Sequence, residues 1–216
     1  GIFKVNAAYH IGNDIINYQD GKFSNKGINF LCSVIDGLLV NTDLYIDDYV
    51  RVNFEGFTEL VDIAGGIYVN VPEDMYHSNG KLFLPKGRQF LNSSKSLEFV
   101  RKRYRYDSKG NMLSSAGDPY RKANQLAFLQ GCSEQLITVD SIKKAPQILN
   151  SLSRNVYHSI NTLAKVSKYS SIALDYANGK YDMELLLITG KSIDPLGDRA
   201  SYVDIITWFL RIQAGI

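Results

Sequence analysis

The stretch Leu60-Val61-Asp62-Ile63-Ala64-Gly65-Gly66-Ile67-Tyr68-Val69-Asn70-Val71-Pro72 changes its period halfway along. Before the glycines, Phe57, Leu60, Val61 and Ala64 recur at three- and four-residue spacing, one face of a helix. Gly65-Gly66 supplies the stop, because glycine reaches the left-handed conformation in which helices end. After them Ile67, Val69 and Val71 alternate with Tyr68 and Asn70, a short strand closed by Pro72.

Working outward, Ile28, Leu31, Cys32, Ile35, Leu38 and Leu39 predict a helix over 25–39, and Tyr49, Val50, Val52 and Phe54 a strand within 47–54. The order helix, strand, helix, strand favours an α/β layered domain. Downstream, Ser78-Asn79-Gly80-Lys81 is a hairpin turn inside 75–91. Ser93 or Ser94 is a candidate cap for a short helix carrying Leu97 and Val100. Asp118-Pro119 is a helix start, with Asp118 as candidate N-cap and the helix running to about residue 136 on Leu126, Leu129 and Leu136. Helices fit around 141–152 and 163–176, and 181–189 reads as a last, buried strand.

The totals bound the function. A chain of 216 residues, 45% hydrophobic and 21% charged, reads as one globular domain over 1–216. The net charge of +2 gives no global polyanion footprint, so any basic site is local. Nucleic acid is therefore an unfavoured partner, although Tyr104 and Tyr106 between arginines could stack on bases. No apolar run approaches the roughly 18 residues of a membrane span. Cys32 and Cys132 lie in apolar stretches and read as buried free thiols rather than a disulfide. His10, His77 and His158 have no metal-ligand spacing, and the carboxylate pairs Asp47-Asp48 and Glu73-Asp74 are weak site candidates.

The strongest chemical signal is Arg101-Lys102-Arg103-Tyr104-Arg105-Tyr106, followed by Asp118, Arg121, Lys122 and Gln125. Guanidinium groups suit phosphate oxygens, which their planar fork binds in pairs of hydrogen bonds. Asp118, Arg121 and Gln125 project from the first turns of one helix, whose N–H groups and dipole favour an anion. These features describe an oxyanion or pyrophosphate site. The same residues also fit a solvated helix end, with Asp118 a simple cap and Arg121 on the surface.

Five segments, in order, resemble the extracytoplasmic domain of the LytR-CpsA-Psr family. Lys4–Tyr9 is similar to its K-[IV]-N-x-A-Y segment, and Asp48–Phe57 to its strand-to-helix stretch ending F-x-G-F. Leu60–Pro72 resembles its V-D-x-x-G-G signature, Phe99–Arg103 its Y-x-R-x-R segment, and Asp118–Gln125 its D-x-G-R-x-x-R-Q segment. The resemblance covers about residues 4–129 and implies a mixed central sheet flanked by helices in α-β-α layers, with a hydrophobic tunnel for a polyprenyl chain. The implied activity is that of a phosphotransferase, a ligase moving a polyprenyl-pyrophosphate-linked glycopolymer, such as teichoic acid or capsule, onto peptidoglycan at the outer face of a Gram-positive membrane.

On that resemblance Arg101, Arg103, Arg121 and Gln125 grip the pyrophosphate. Arg101, Arg103, Asp118 and Arg121 are the catalytic candidates, Asp118 orienting an arginine or capping the helix. Asn124 stands where the family has an arginine, and Tyr120 where it has a glycine. The family's N-terminal strands, with their magnesium-binding aspartates, have no counterpart in these residues. The resemblance thus implies Mg2+ without ligands in this chain, transfer activity that depends on an upstream catalytic segment, and a membrane anchor upstream of Gly1. The rival expectations are a divergent, non-catalytic binder of polyprenyl phosphate or glycan, and a transcriptional attenuator on nucleic acid.

Overall fold

Asparagine caps three of the helices that build this protein's framework, because its short carboxamide satisfies a helix's first free N–H groups. In the computed structural model Asn25 accepts from the Ile28 amide at 2.9 Å, Asn53 from Gly56 at 2.7 Å, and Asn92 from Lys95 at 3.0 Å. Asn92 thus takes the capping role expected of Ser93 or Ser94. The structure describes residues 5–40, 45–113, 117–138, 141–142, 155–187 and 208–214. It divides the chain into two units, Gly1–Tyr49 with Leu186–Phe209, and Val50–Leu185 with Leu210–Ile216.

In the first unit, helical turns over Val5–Ala7, Ala8–His10 and Ile11–Ile15 pack on helix α1 (Lys26–Leu38). Gly27 permits that approach, since a Cβ there would meet the Tyr9 carbonyl oxygen at 2.5 Å. Asn29 is buried and ties the chain back, accepting from the Phe23 amide at 2.9 Å and donating to the Phe23 carbonyl at 2.8 Å.

The second unit holds β1 (Val50–Val52), α2 (Phe54–Ile63), β2 (Ile67–Val71), β3 (Met75–Tyr76), β4 (Leu82–Leu84), β5 (Gly87–Leu91), α3 (Ser93–Arg101), α4 (Asp118–Leu136), β6 (Val156–His158) and α5 (Leu163–Ala177). Strands β7 (Tyr181–Leu187) and β8 (Trp208–Ala214) follow. This is the mixed α/β architecture read from the sequence, with its strands in short pairs: β1 with β6, β2 with β5 and β3 with β4, all antiparallel. Gly65 and Gly66 have φ of +77° and +90°, and end α2 as the sequence indicated.

One core joins these elements: Val61 of α2, Ile67, Val69 and Val71 of β2, Met75, Leu84, Leu91, Phe99 of α3 and Phe128 of α4. The inward residues of β2 alternate with the exposed Tyr68 and Asn70, as a half-buried strand requires. Burying side chains of this size stabilises by about 1.5–3 kcal/mol each before entropy is counted.

Three expectations change. Phe54 begins α2 instead of extending the strand, because the Asn53 cap ends extended backbone at Val52. Helix α4 starts at Asp118, but the residue in the cap position is Gly117, at φ +121°, so Asp118 is the first helical residue and not the N-cap. Helix α4 also buries Lys122, Asn124 and Phe128, while Leu129, expected inward, is 41% exposed. Polar residues on its inner face hide the helical stripe from hydrophobicity alone. The helix expected at 141–152 lies outside the described residues beyond Ile142, as do the last residues of the strand expected to reach 189. Cys32 and Cys132 are free and half-buried, and burial pushes the Cys132 thiol up to about 12.

Candidate functional site

Helix α3 ends at Arg101 because the chain turns extended at Lys102, and the three basic residues that follow sort themselves by their neighbours. Arg101 lays its guanidinium over the exposed Phe54 ring at 4.3 Å, a cation–π contact that keeps the group at the surface. Lys102 turns the other way, to the Phe83 ring at 4.9 Å and the Glu98 carboxylate at 3.6 Å. The Arg103 carbonyl accepts from the Gly117 amide at 2.6 Å, which ties the start of α4 to the end of α3.

Arg105 belongs elsewhere. Its Nε donates to Glu73 at 2.7 Å and its terminal nitrogen pairs with the other oxygen of the same carboxylate. Hydrogen bonding to Glu73 raises the arginine's pKa further still. This fork also lies over the Tyr120 ring, 5.5 Å from its centre. Burial, and then the nearby Glu73 charge, push the Tyr120 hydroxyl up to about 12. Glu73 and Asp74 are therefore structural, with Asp74 accepting from the Lys86 amide at 2.7 Å.

From α4, Arg121 and Gln125 face back toward the end of α3. The Gln125 amide donates to the Val100 carbonyl at 3.1 Å, satisfying one of the oxygens a helix C-terminus leaves open. Arg101, Arg103, Arg121 and Gln125 then line one cleft of about 530 Å3. Its remaining wall is largely apolar, made by Val52, Phe54, Phe57, Leu97 and Val100. Arg101 and Arg103 also border a neighbouring depression of about 450 Å3 with Tyr104 and Tyr106. Four of the five site residues expected from the sequence thus meet at one place; for Asp118 only the backbone position is described.

Asn124 is fully buried and stands apart from this cleft, its carboxamide oxygen without a hydrogen-bond partner among the described residues. Phe54 and Phe57 were missed as site residues, since their aromatic character reads equally well as core. The signal that could have found them is the F-x-G-F spacing itself, which puts both rings in the first turn of a helix.

Among the described residues no carboxylate lines the cleft, and no group of three His, Cys, Asp or Glu side chains could hold a metal ion. The residues described here do not fit a magnesium site. What the arrangement can do is bind an anion beside apolar surface: three guanidinium groups act where walls of low polarity strengthen their field.

Comparison with known proteins gives one consistent picture. A family model, the LytR_cpsA_psr family, matches residues 3–206. A polyisoprenyl-teichoic acid–peptidoglycan teichoic acid transferase TagU from Oceanobacillus iheyensis is 29% identical over 148 residues, covering 68% of this chain and 42% of the relative. The crystal structure of TagV from Bacillus subtilis superposes with a TM-score of 0.55 at 20% identity, covering 97% of this chain and 68% of that one. A structure from Enterococcus faecalis, described as a transcriptional regulator, superposes at 0.57 with 21% identity over 96% of this chain and 63% of that one. At these identities the structures speak for the fold alone. The chain spans less than half the length of the curated relatives it matches.

Proposed function

The chain belongs to the LytR-CpsA-Psr family, and we propose that its arginine-lined cleft binds the pyrophosphate of a polyprenyl-linked glycopolymer and serves the transfer of that polymer to peptidoglycan. The observation that carries this reading is the meeting of Arg101, Arg103 and Arg121, from two separate stretches of chain, around one cleft walled by Val52, Phe54 and Phe57. A doubly phosphorylated headgroup on an apolar tail asks for that combination of fixed positive charge and apolar wall.

In the reaction, a peptidoglycan hydroxyl oxygen forms a bond to the phosphorus that bears the glycopolymer. The bond from that phosphorus to the bridging oxygen breaks, polyprenyl phosphate leaves, and the hydroxyl proton passes to solvent. Arg101 and Arg103 stabilise charge as it gathers on the leaving phosphate, while Arg121 orients the headgroup. Gln125 supports them by fixing α4 against the end of α3. The tail follows the apolar wall into the tunnel of the family. Magnesium belongs to this proposal only with ligands from outside the described residues, and no step is assigned to it. The work takes place at the outer face of a Gram-positive membrane, held there by an anchor; among the described residues no helix is long and apolar enough to cross a membrane.

A second reading is that the domain holds the lipid-linked glycan without transferring it. The buried Asn124, where the family resemblance has an arginine, favours it.

The site is tested by extracting lipid from purified protein and from the Arg101→Ala/Arg103→Ala variant. Mass spectrometry should find a polyprenyl-pyrophosphate species in the first and a loss in the second; equal retention overturns the assignment. Release of polyprenyl phosphate on adding peptidoglycan separates transfer from holding.

A further inference from the structure

On the other side of α4 lies a second cleft, of about 540 Å3, that shares no residue with the arginine site. Gln130 and Glu134 each follow Arg121 and Gln125 by nine residues, two and a half helical turns, so they project from the opposite face of the helix. Facing them is the outer surface of the β2–β5 pair, where Tyr68 stands opposite Phe90 and Asn70 opposite Arg88. Tyr176 of α5 completes the wall. Gly131 sets the depth, because a Cβ there would fall on the Tyr68 carbonyl oxygen, and Gln135 locks the same backbone by accepting from the Tyr68 amide at 2.9 Å and donating to its carbonyl at 2.7 Å.

We propose that this second cleft, built on Tyr68, Asn70, Arg88, Gln130, Glu134 and Tyr176, binds an uncharged pyranose oligosaccharide. It goes beyond the arginine-cleft reading and does not rest on it.

The chemistry follows from the lining. Tyr68 is 46% exposed, with the Arg88 guanidinium carbon 5.0 Å from its ring centre and the tilted Phe90 ring 5.3 Å away. An exposed aromatic ring is a platform for the C–H face of a pyranose, an apolar surface that water leaves readily. Asn70, Gln130 and Glu134 carry no side-chain hydrogen bond or ion pair among the described residues. Planar amide and carboxylate groups of this kind can reach adjacent hydroxyls in pairs, and so can a guanidinium such as that of Arg88. Charge excludes the alternative ligand. Arg88 and Glu134 bring one positive and one negative group to this wall, whereas the other cleft gathers three guanidinium groups and, among the described residues, no carboxylate. A phosphate belongs in that one, and a neutral polyol in this one. Concave walls with a few convergent polar groups and aromatic surface are the usual form of a small-ligand site.

The whole chain is titrated calorimetrically with chitotetraose, with maltotetraose and, separately, with inorganic pyrophosphate. One of the two tetrasaccharides should bind, and Tyr68→Ala should weaken it by at least about tenfold while Tyr68→Phe keeps it. The pair Gln130→Ala/Glu134→Gln, exposed helix positions that leave the β2 backbone untouched, should weaken it likewise. Arg101→Ala/Arg103→Ala should leave tetrasaccharide binding unchanged and abolish pyrophosphate binding. Absence of binding by both sugars up to roughly 10 mM, or equal affinity in the helix variant, overturns the sugar cleft. Failure of pyrophosphate to bind bears only on the arginine site.

Discussion

The side-chain amide of Gln125 donates a 3.1 Å hydrogen bond to the carbonyl oxygen of Val100 and so joins the first turns of α4 to the last turn of α3. Arg101 follows Val100 directly, and Arg121 lies one turn before Gln125. This bond, with the Gly117 amide to Arg103 carbonyl bond, helps to hold two of the cleft's guanidinium groups near one another. Gln125→Leu keeps the size and removes the donor, leaving a helix-end carbonyl unsatisfied in a half-buried place. It should lower stability by about 1 kcal/mol in urea unfolding and weaken retention of the lipid headgroup.

Arg105 and Arg101 are alike in the sequence and should separate in experiment. Arg105→Met removes the two-point pair with Glu73, whose carboxylate is 37% exposed and therefore screened, and should cost roughly 1 kcal/mol of stability. Pyrophosphate binding by calorimetry should stay within about twofold of the parent. A large loss of binding would move Arg105 into the site.

Two glycines in helices should respond with opposite signs to the same substitution. Gly131→Ala drives a methyl group onto the Tyr68 carbonyl in the β2 backbone, which cannot yield as a side chain would, and should destabilise by about 1–3 kcal/mol. Gly37 in α1 has nothing within 4 Å of such a methyl, so Gly37→Ala should stabilise by about 0.5–1 kcal/mol through the helix backbone alone. Urea midpoints read both.

Alkaline pH should destabilise the fold in a defined window. Burial carries the Cys132 thiol from 9.0 to about 12, and burial with the Glu73 charge carries the Tyr120 hydroxyl from 10.0 to about 12. Both folded values lie above the unfolded ones, so their contribution is complete below pH 9 and is lost as pH rises toward 12. In that window the unfolded chain gives up protons that the folded chain keeps, a slope on the order of 1 kcal/mol per pH unit for each group. Stability measured from pH 8 to 11 should fall, and Cys132→Ala should flatten part of the fall between 9 and 10, where burial also holds the Cys32 thiol protonated. A parallel curve in the variant would refute the assignment.

Much of the framework was legible because it is set by neighbours in the chain. The period change across Gly65-Gly66, the turn at Asn79-Gly80 and the helix following Asp118 all appear where the residues place them. The inner face of α4 was not, because Lys122 and Asn124 are buried there and a hydropathy pattern cannot signal a polar interior. Phe54 was read as strand because its type is right for one; the cap that turns it into helix is an asparagine hydrogen bond one residue earlier.

The sequence by itself determined most helix and strand positions among the described residues, the family and the supply of arginines, since spacing and residue type act over a few bonds. Only the tertiary structure decided which arginines share a cleft. Arg101, Arg103 and Arg121 come together because α3 and α4 are packed end to start, while Glu73, 32 residues before Arg105, withdraws that side chain into an ion pair. Coulomb attraction and close packing depend on distance in space, and distance along the chain does not report it.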